Sequence, residues 1–89
     1  MAAMKRWNVE ILIGEVDCRT YAEAQLYDEI RDDLVGNGQA RRRVERPDIP
    51  AIGDEIAVAR ALSDLGHRLL VAAAGDLEDA THEHVSLER

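Results

Sequence analysis

Leu34-Val35-Gly36-Asn37-Gly38-Gln39-Ala40-Arg41 is the stretch that decides the fold. Two glycines so close together would each cost a helix about 1 kcal/mol, so the segment reads as a strand. In an extended chain alternate residues share a face. That puts Leu34, Gly36, Gly38 and Ala40 on one side and Val35, Asn37, Gln39 and Arg41 on the other. A face made of such small residues lets a neighbouring element come close. The competing reading makes Asn37-Gly38 a two-residue hairpin turn.

Upstream, Trp7-Asn8-Val9-Glu10-Ile11-Leu12-Ile13 also alternates, with Trp7, Val9, Ile11 and Ile13 on one side, as in a half-buried strand. Gly14-Glu15-Val16-Asp17 reads as a loop or strand end. The segment Thr20–Asp33 is ambiguous. Its Ala, Glu, Gln and Leu content favours a helix, yet Ala22, Ala24 and Leu26 also fall on one face at period two. Downstream, Arg46-Pro47-Asp48-Ile49-Pro50 breaks any regular element. Beyond it the period changes. Ile56, Ala59, Leu62, Leu65, Leu69, Ala73 and Leu77 recur at spacings of three and four, the apolar stripe of a long amphipathic helix. Asp54 and Glu55 put acid near its start, where the helix dipole favours it, and Gly66 would permit a close approach. The helix either ends at Gly75-Asp76 or runs on through Leu77-Glu78-Asp79-Ala80.

These pieces predict one α+β domain over residues 1–89: a three-stranded antiparallel sheet covered on one face by a long C-terminal helix. The expected strands span about residues 6–14, 20–28 and 34–43, and the helix about 52–80, with boundaries good to a few residues. With 89 residues, 46% of them hydrophobic, the chain is too apolar to be disordered and too short for a second domain. No apolar run approaches the length needed to cross a bilayer, and Met1–Trp7 does not resemble a signal peptide. A lone cysteine, Cys18, allows no internal disulfide. The expectation is a reduced, cytoplasmic protein without a membrane partner, small enough for a homodimer to help bury its surface.

A block at Pro50-Ala51-Ile52-Gly53-Asp54-Glu55-Ile56-Ala57-Val58-Ala59-Arg60-Ala61-Leu62-Ser63-Asp64-Leu65 closely resembles one found in a family of small actinobacterial proteins of unknown function. Trp7-Asn8-Val9-Glu10-Ile11 and Leu34–Arg41 are similar to two further blocks of that family. Some members belong to the mycobacterial dormancy and hypoxia response. The resemblance implies a fold like a double-stranded-RNA-binding domain without its first helix, a tendency to form homodimers, and a strand at Thr20–Asp28. It also implies a stress role with contact to ribosomal RNA or the ribosome, of the kind hibernation factors make.

The residues themselves offer few chemical groups in suggestive patterns. The net charge of −7 is opposite in sign to that of most nucleic-acid binders. Four of the eleven basic residues nevertheless cluster at Arg41, Arg42, Arg43 and Arg46, a candidate phosphate-contacting patch that Lys5 and Arg6 could join. Tyr21 and Tyr27, set among polar residues on the outer sheet face, are candidate interface residues, since aromatics are enriched at interfaces. His82-Glu83-His84 lacks the further ligands of a metal site, His67 reads as a wet helix residue, and Cys18 as a loop thiol. No nucleophile–base arrangement or phosphate-binding glycine loop is present. The reading is therefore of a non-enzymatic protein with no catalytic, cofactor or metal residues and no small-molecule ligand, with a protein-interaction module that binds no nucleic acid as the alternative.

Overall fold

The structure, a computed structural model, describes residues 3–28, 33–41 and 50–81. The element order is β1 (Asn8–Val16), β2 (Arg19–Tyr27), β3 (Val35–Arg41) and α1 (Pro50–Thr81). The strands form one antiparallel sheet in the order β1-β2-β3. The expected α+β meander with one long helix is what is found.

Strand β1 runs two residues further than the sequence suggests, through the Gly14-Glu15-Val16 stretch, because Val16 pairs with Arg19. Only Asp17 and Cys18 remain for the turn, and Asp17 takes the left-handed conformation (φ 56°) that such a tight reversal requires. Aspartate tolerates that region better than most residues. The ambiguous segment at Thr20 is extended. Thr20, Ala22, Ala24 and Leu26 are buried on one face, while Tyr21 and Tyr27 look outward. Asn37-Gly38 is no turn: both residues lie within β3, opposite Glu23 and Ala22.

The helix lies across the buried face of β2 and β3. The two strand glycines explain how. A Cβ at Gly36 would come under 3.0 Å from the Ala61 carbonyl and from Leu65 backbone atoms, and one at Gly38 would do the same against Ala57, Ala61 and Arg60 backbone. Helix backbone therefore rests directly on strand backbone, and only small helix residues fit at the contact. The buried helix residues are Ala57, Ala61 and Leu65, with Val58 and Leu69 packed beside them. This corrects the expected stripe. Ile56, Ala59, Leu62 and Leu77 are exposed; the face that meets the glycines carries Ala57 and Ala61, and a bulky Ile56 or Leu62 turned there would hold the helix away. Gly66 is corrected as well, since nothing lies within 4 Å of where its Cβ would stand.

The resulting core is built mainly of alanine: Ala22, Ala24, Ala40, Ala57 and Ala61, with Leu26 and Leu65. It is also narrow. The sequence places Trp7, Val9, Ile11 and Ile13 inside. The ladder does set Val9, Ile11 and Ile13 on the helix side of the sheet, opposite Leu26, Ala24 and Ala22. Yet only Ile11 is partly buried, whereas Trp7 is 52%, Val9 42% and Ile13 47% exposed. Tight seating over β2 and β3 leaves β1 outside the helix's reach. The helix begins at Pro50, a favoured first-turn residue, so Asp54 and Glu55 fall after its first turn and not within it. It runs without a break through Gly75 to Thr81, whose Oγ1 donates to the Leu77 carbonyl. At 32 residues the helix outreaches the strands beneath it, the longest of which has 9 residues, even though a strand gains more length per residue. The molecule is accordingly elongated, with a radius of gyration of 16.7 Å, well above that of a compact chain of this length.

Gly38→Ala should lower the unfolding free energy by about 3 kcal/mol or more, since backbone atoms on both sides cannot give way. Gly66→Ala should instead raise it by about 1 kcal/mol, the ordinary gain of alanine over glycine in a helix. Urea midpoints of the two variants against the parent check both signs.

Candidate functional site

Two edges bound the sheet, and they differ. At β3 the helix reaches over with charged side chains. The Asn37 backbone N–H donates to Asp64 Oδ2 at 2.8 Å. Further along the same edge, Arg60 Nη1 donates to the Gln39 carbonyl at 2.7 Å. Odd-numbered β3 residues point their backbone groups away from β2, because Leu34, at an even position, accepts from the Leu26 N–H. The helix thus occupies open-edge groups that another strand would otherwise bind. Asp64 Oδ2 also accepts from Arg68 Nε at 3.0 Å. The Asn37 hydrogen bond, and then Arg68, hold the Asp64 carboxyl below the usual aspartate range.

Among the described residues nothing covers the β1 edge in this way. Its sequence, NVEILIGEV, contains neither lysine nor proline, the residues that commonly guard an edge. Its helix-side face carries the half-exposed Val9 and Ile13, and its outer face carries Leu12, 55% exposed, and Val16. Leu62 is exposed on the helix. The outer face also holds Tyr21 and Tyr27, both partly exposed, but they stand far apart along one extended strand and form no single patch.

The basic candidates divide. Arg41 ends β3 directly opposite Arg19. Lys5 and Arg6 precede β1, whose first residue pairs with the far end of β2, so they sit at the other end of the sheet. Arg42, Arg43 and Arg46 lie outside the described residues, as do His82 and His84. What the sequence reading missed is that Arg41 is joined by Arg19 and Arg60. With Gln39 they line an open concavity of about 280 Å³. Arg19 could have been paired with Arg41 only from the ladder register, and Arg60 only from the helix orientation. Cys18 is free and exposed in the turn. Among the described residues there is no group of three or more His, Cys, Asp or Glu able to hold a metal, and no helix long and apolar enough to cross a membrane.

The arrangement is that of a small α+β protein in which no set of side chains converges on an enclosed cleft among the described residues. The chain belongs to the Rv2632c-like family, whose pattern it matches over residues 5–86. It is 43% identical over 84 residues to the uncharacterized protein Mb1767 of Mycobacterium bovis, covering 94% of this chain and 88% of that one. It is 42% identical over 82 residues to the uncharacterized protein Rv2632c of Mycobacterium tuberculosis, covering 92% and 87%. The crystal structure of Rv2632c superposes with a TM-score of 0.82 at 40% identity, over 92% of this chain and 96% of that one. A small actinobacterial family is thus what the sequence motifs pointed to, and the relatives named here are mycobacterial.

A carboxylate held below its ordinary range stabilises the fold fully above the unfolded pKa, and that contribution is lost as pH falls through the folded pKa. Asp64→Asn should therefore melt below the parent at neutral pH. The difference between the two thermal midpoints should shrink as pH drops below the ordinary aspartate range, and a pH series of melting curves measures it.

Proposed function

We propose that the protein is a non-enzymatic interaction module that works as a homodimer, paired through β1. One observation carries this reading: the helix's own side chains close the β3 edge, while the apolar β1 edge is left open. The occupant that fits β1 is a second copy of β1. Antiparallel pairing centred on Leu12 sets Ile11 against Ile13 of the partner, and Glu10 against Gly14, so no like charges meet across the new ladder. Val9, Ile11 and Ile13 of both copies then form one apolar floor flanked by two helices. Closed twofold pairing of this kind is the commonest form of soluble oligomer. An acidic chain of net charge −7 suits a protein partner better than a polyanion.

A second reading follows the resemblance: a cytoplasmic stress or dormancy protein, with a fold akin to double-stranded-RNA-binding domains, that meets ribosomal RNA. The observation favouring it is that Arg41 does not stand alone but shares a concavity with Arg19 and Arg60. Co-sedimentation with ribosomes at low salt, lost steeply as salt rises, is the result this second reading requires.

For the first, sedimentation equilibrium of the full chain should give a dimer, and Leu12→Lys should give a monomer that keeps the parent's circular dichroism, because Leu12 is an exposed edge residue. A parent that sediments as a monomer at high micromolar concentration, or a Leu12→Lys variant that remains dimeric, would remove β1 pairing.

A further inference from the structure

We infer that the concavity at the Arg19–Arg41 end of the sheet is a binding site for one compact phosphate group, either inorganic phosphate or the phosphate of a small phosphorylated molecule. Its lining is Arg19 from β2, Gln39 and Arg41 from β3, and Arg60 from α1. Three cations from three elements converge there in a chain whose net charge is −7.

Among the described residues no carboxylate neutralises the cluster. Arg19 and Arg41 are direct partners in the ladder, and like charges facing each other across two strands repel. Neither forms an ion pair with a carboxylate among the described residues. Asp64, one helical turn from Arg60, is the natural internal partner. Its Oδ2 is instead engaged by the Asn37 N–H and by Arg68. Arg60 spends one N–H on the Gln39 carbonyl, which fixes its guanidinium at the rim and leaves further donors on the same planar group.

Guanidinium forks match pairs of phosphate oxygens. Three such forks, with the Gln39 amide, offer more donors than the two oxygens of a carboxylate readily accept, whereas the three or four oxygens of a phosphate can each accept more than one of them. A single compact anion also fits better than a nucleic-acid backbone. Among the described residues the three cations meet at one place, and Lys5 and Arg6 stand at the other end of the sheet. A polyanion laid along the surface brings further phosphates within a Debye length, about 8 Å, of the excess carboxylates of a chain of net charge −7. A compact anion is governed mainly by the three cations it touches. A phosphate site held by a glycine-rich loop would show a sequence motif. This one is assembled from side chains distant in sequence, which is why the linear reading expected no small-molecule ligand. The site stands on the β3 side of the molecule and does not depend on pairing through β1.

The test is a nuclear magnetic resonance titration of the full chain at constant ionic strength, following backbone and arginine Nε–H signals. The probes are inorganic phosphate, adenosine 5′-monophosphate, adenosine and a short single-stranded RNA. Phosphate and the monophosphate should give saturable shifts at Arg19, Arg41 and Arg60 in the millimolar range or tighter, and adenosine none. The tighter of the two phosphates tells whether the free ion or a phosphorylated small molecule is the better occupant. The Arg19 and Arg41 side chains make no hydrogen bond to another element among the described residues, so Arg19→Gln and Arg41→Gln should leave the fold intact, and each should weaken binding at least tenfold. Absence of saturable shifts with either phosphate would overturn the proposal, as would unchanged affinity in both variants or shifts equally strong at Lys5 and Arg6. RNA that binds these residues more tightly than either small phosphate would overturn the assignment to a compact anion.

Discussion

Backbone resting on backbone is the constraint from which the architecture follows. Gly36 and Gly38 remove the side chains that normally hold a helix away from a sheet, and Ala57 and Ala61 meet them with the smallest side chains a helix readily offers. The contact restrains rotation of the helix, since turning it would bring larger residues such as Val58 or Leu62 towards the strand glycines. It also sets the composition of the interior. Five of the seven buried hydrophobic residues are alanines, and no large side chain among the described residues is fully buried. Each alanine removes little apolar surface from water. The gain comes from dense contact between main chains, where dispersion is collected over many close atoms.

A helix held this close covers two strands and not three. The same seating that buries Ala22, Ala24 and Ala40 leaves Val9 and Ile13 half in water, and it carries Asp64 and Arg60 over the far edge of β3. Sealing one side and exposing the other are therefore two results of one placement. The candidate surfaces inherit this origin. The apolar strip exists because the helix stops short of β1, and the arginine concavity exists because the helix reaches past β3.

Much of this was legible in the residues. Alternation located β1 and β3, and the change of period after Pro50 located the helix, because both patterns report which side of an element faces inward. The segment of β2 fitted helix and strand equally by pattern, and only the family resemblance implied a strand there. The glycine pair in Leu34–Arg41 reported a close approach, and the close approach is there. Sequence does not state how far a covering element extends. Trp7, Val9 and Ile13 alternate as an inner face does, yet they lack a cover. The helix stripe departs from expectation for a related reason. Leu62 and Ile56 are what a hydrophobic count selects, but a glycine floor selects Ala57 and Ala61. Arg41 was visible as part of a basic run, whereas Arg19 and Arg60 join it only through ladder register and helix orientation, which a linear reading cannot supply. The dipeptide Asp17-Cys18 carried little turn signal without the pairing of Val16 with Arg19 on either side of it.

The sealing of β3 bears on what kinds of aggregate the molecule can build. Filaments that grow by adding strands need two free edges on every unit, one to receive and one to offer. Here a carboxylate and a guanidinium already sit on one of them. Two outward groups of β3 are thus withheld from an incoming strand, which disfavours growth in the plane of the sheet on that side. Two charged side chains on a helix thereby guard a strand edge, a protection that inspection of the strand's own residues would not disclose.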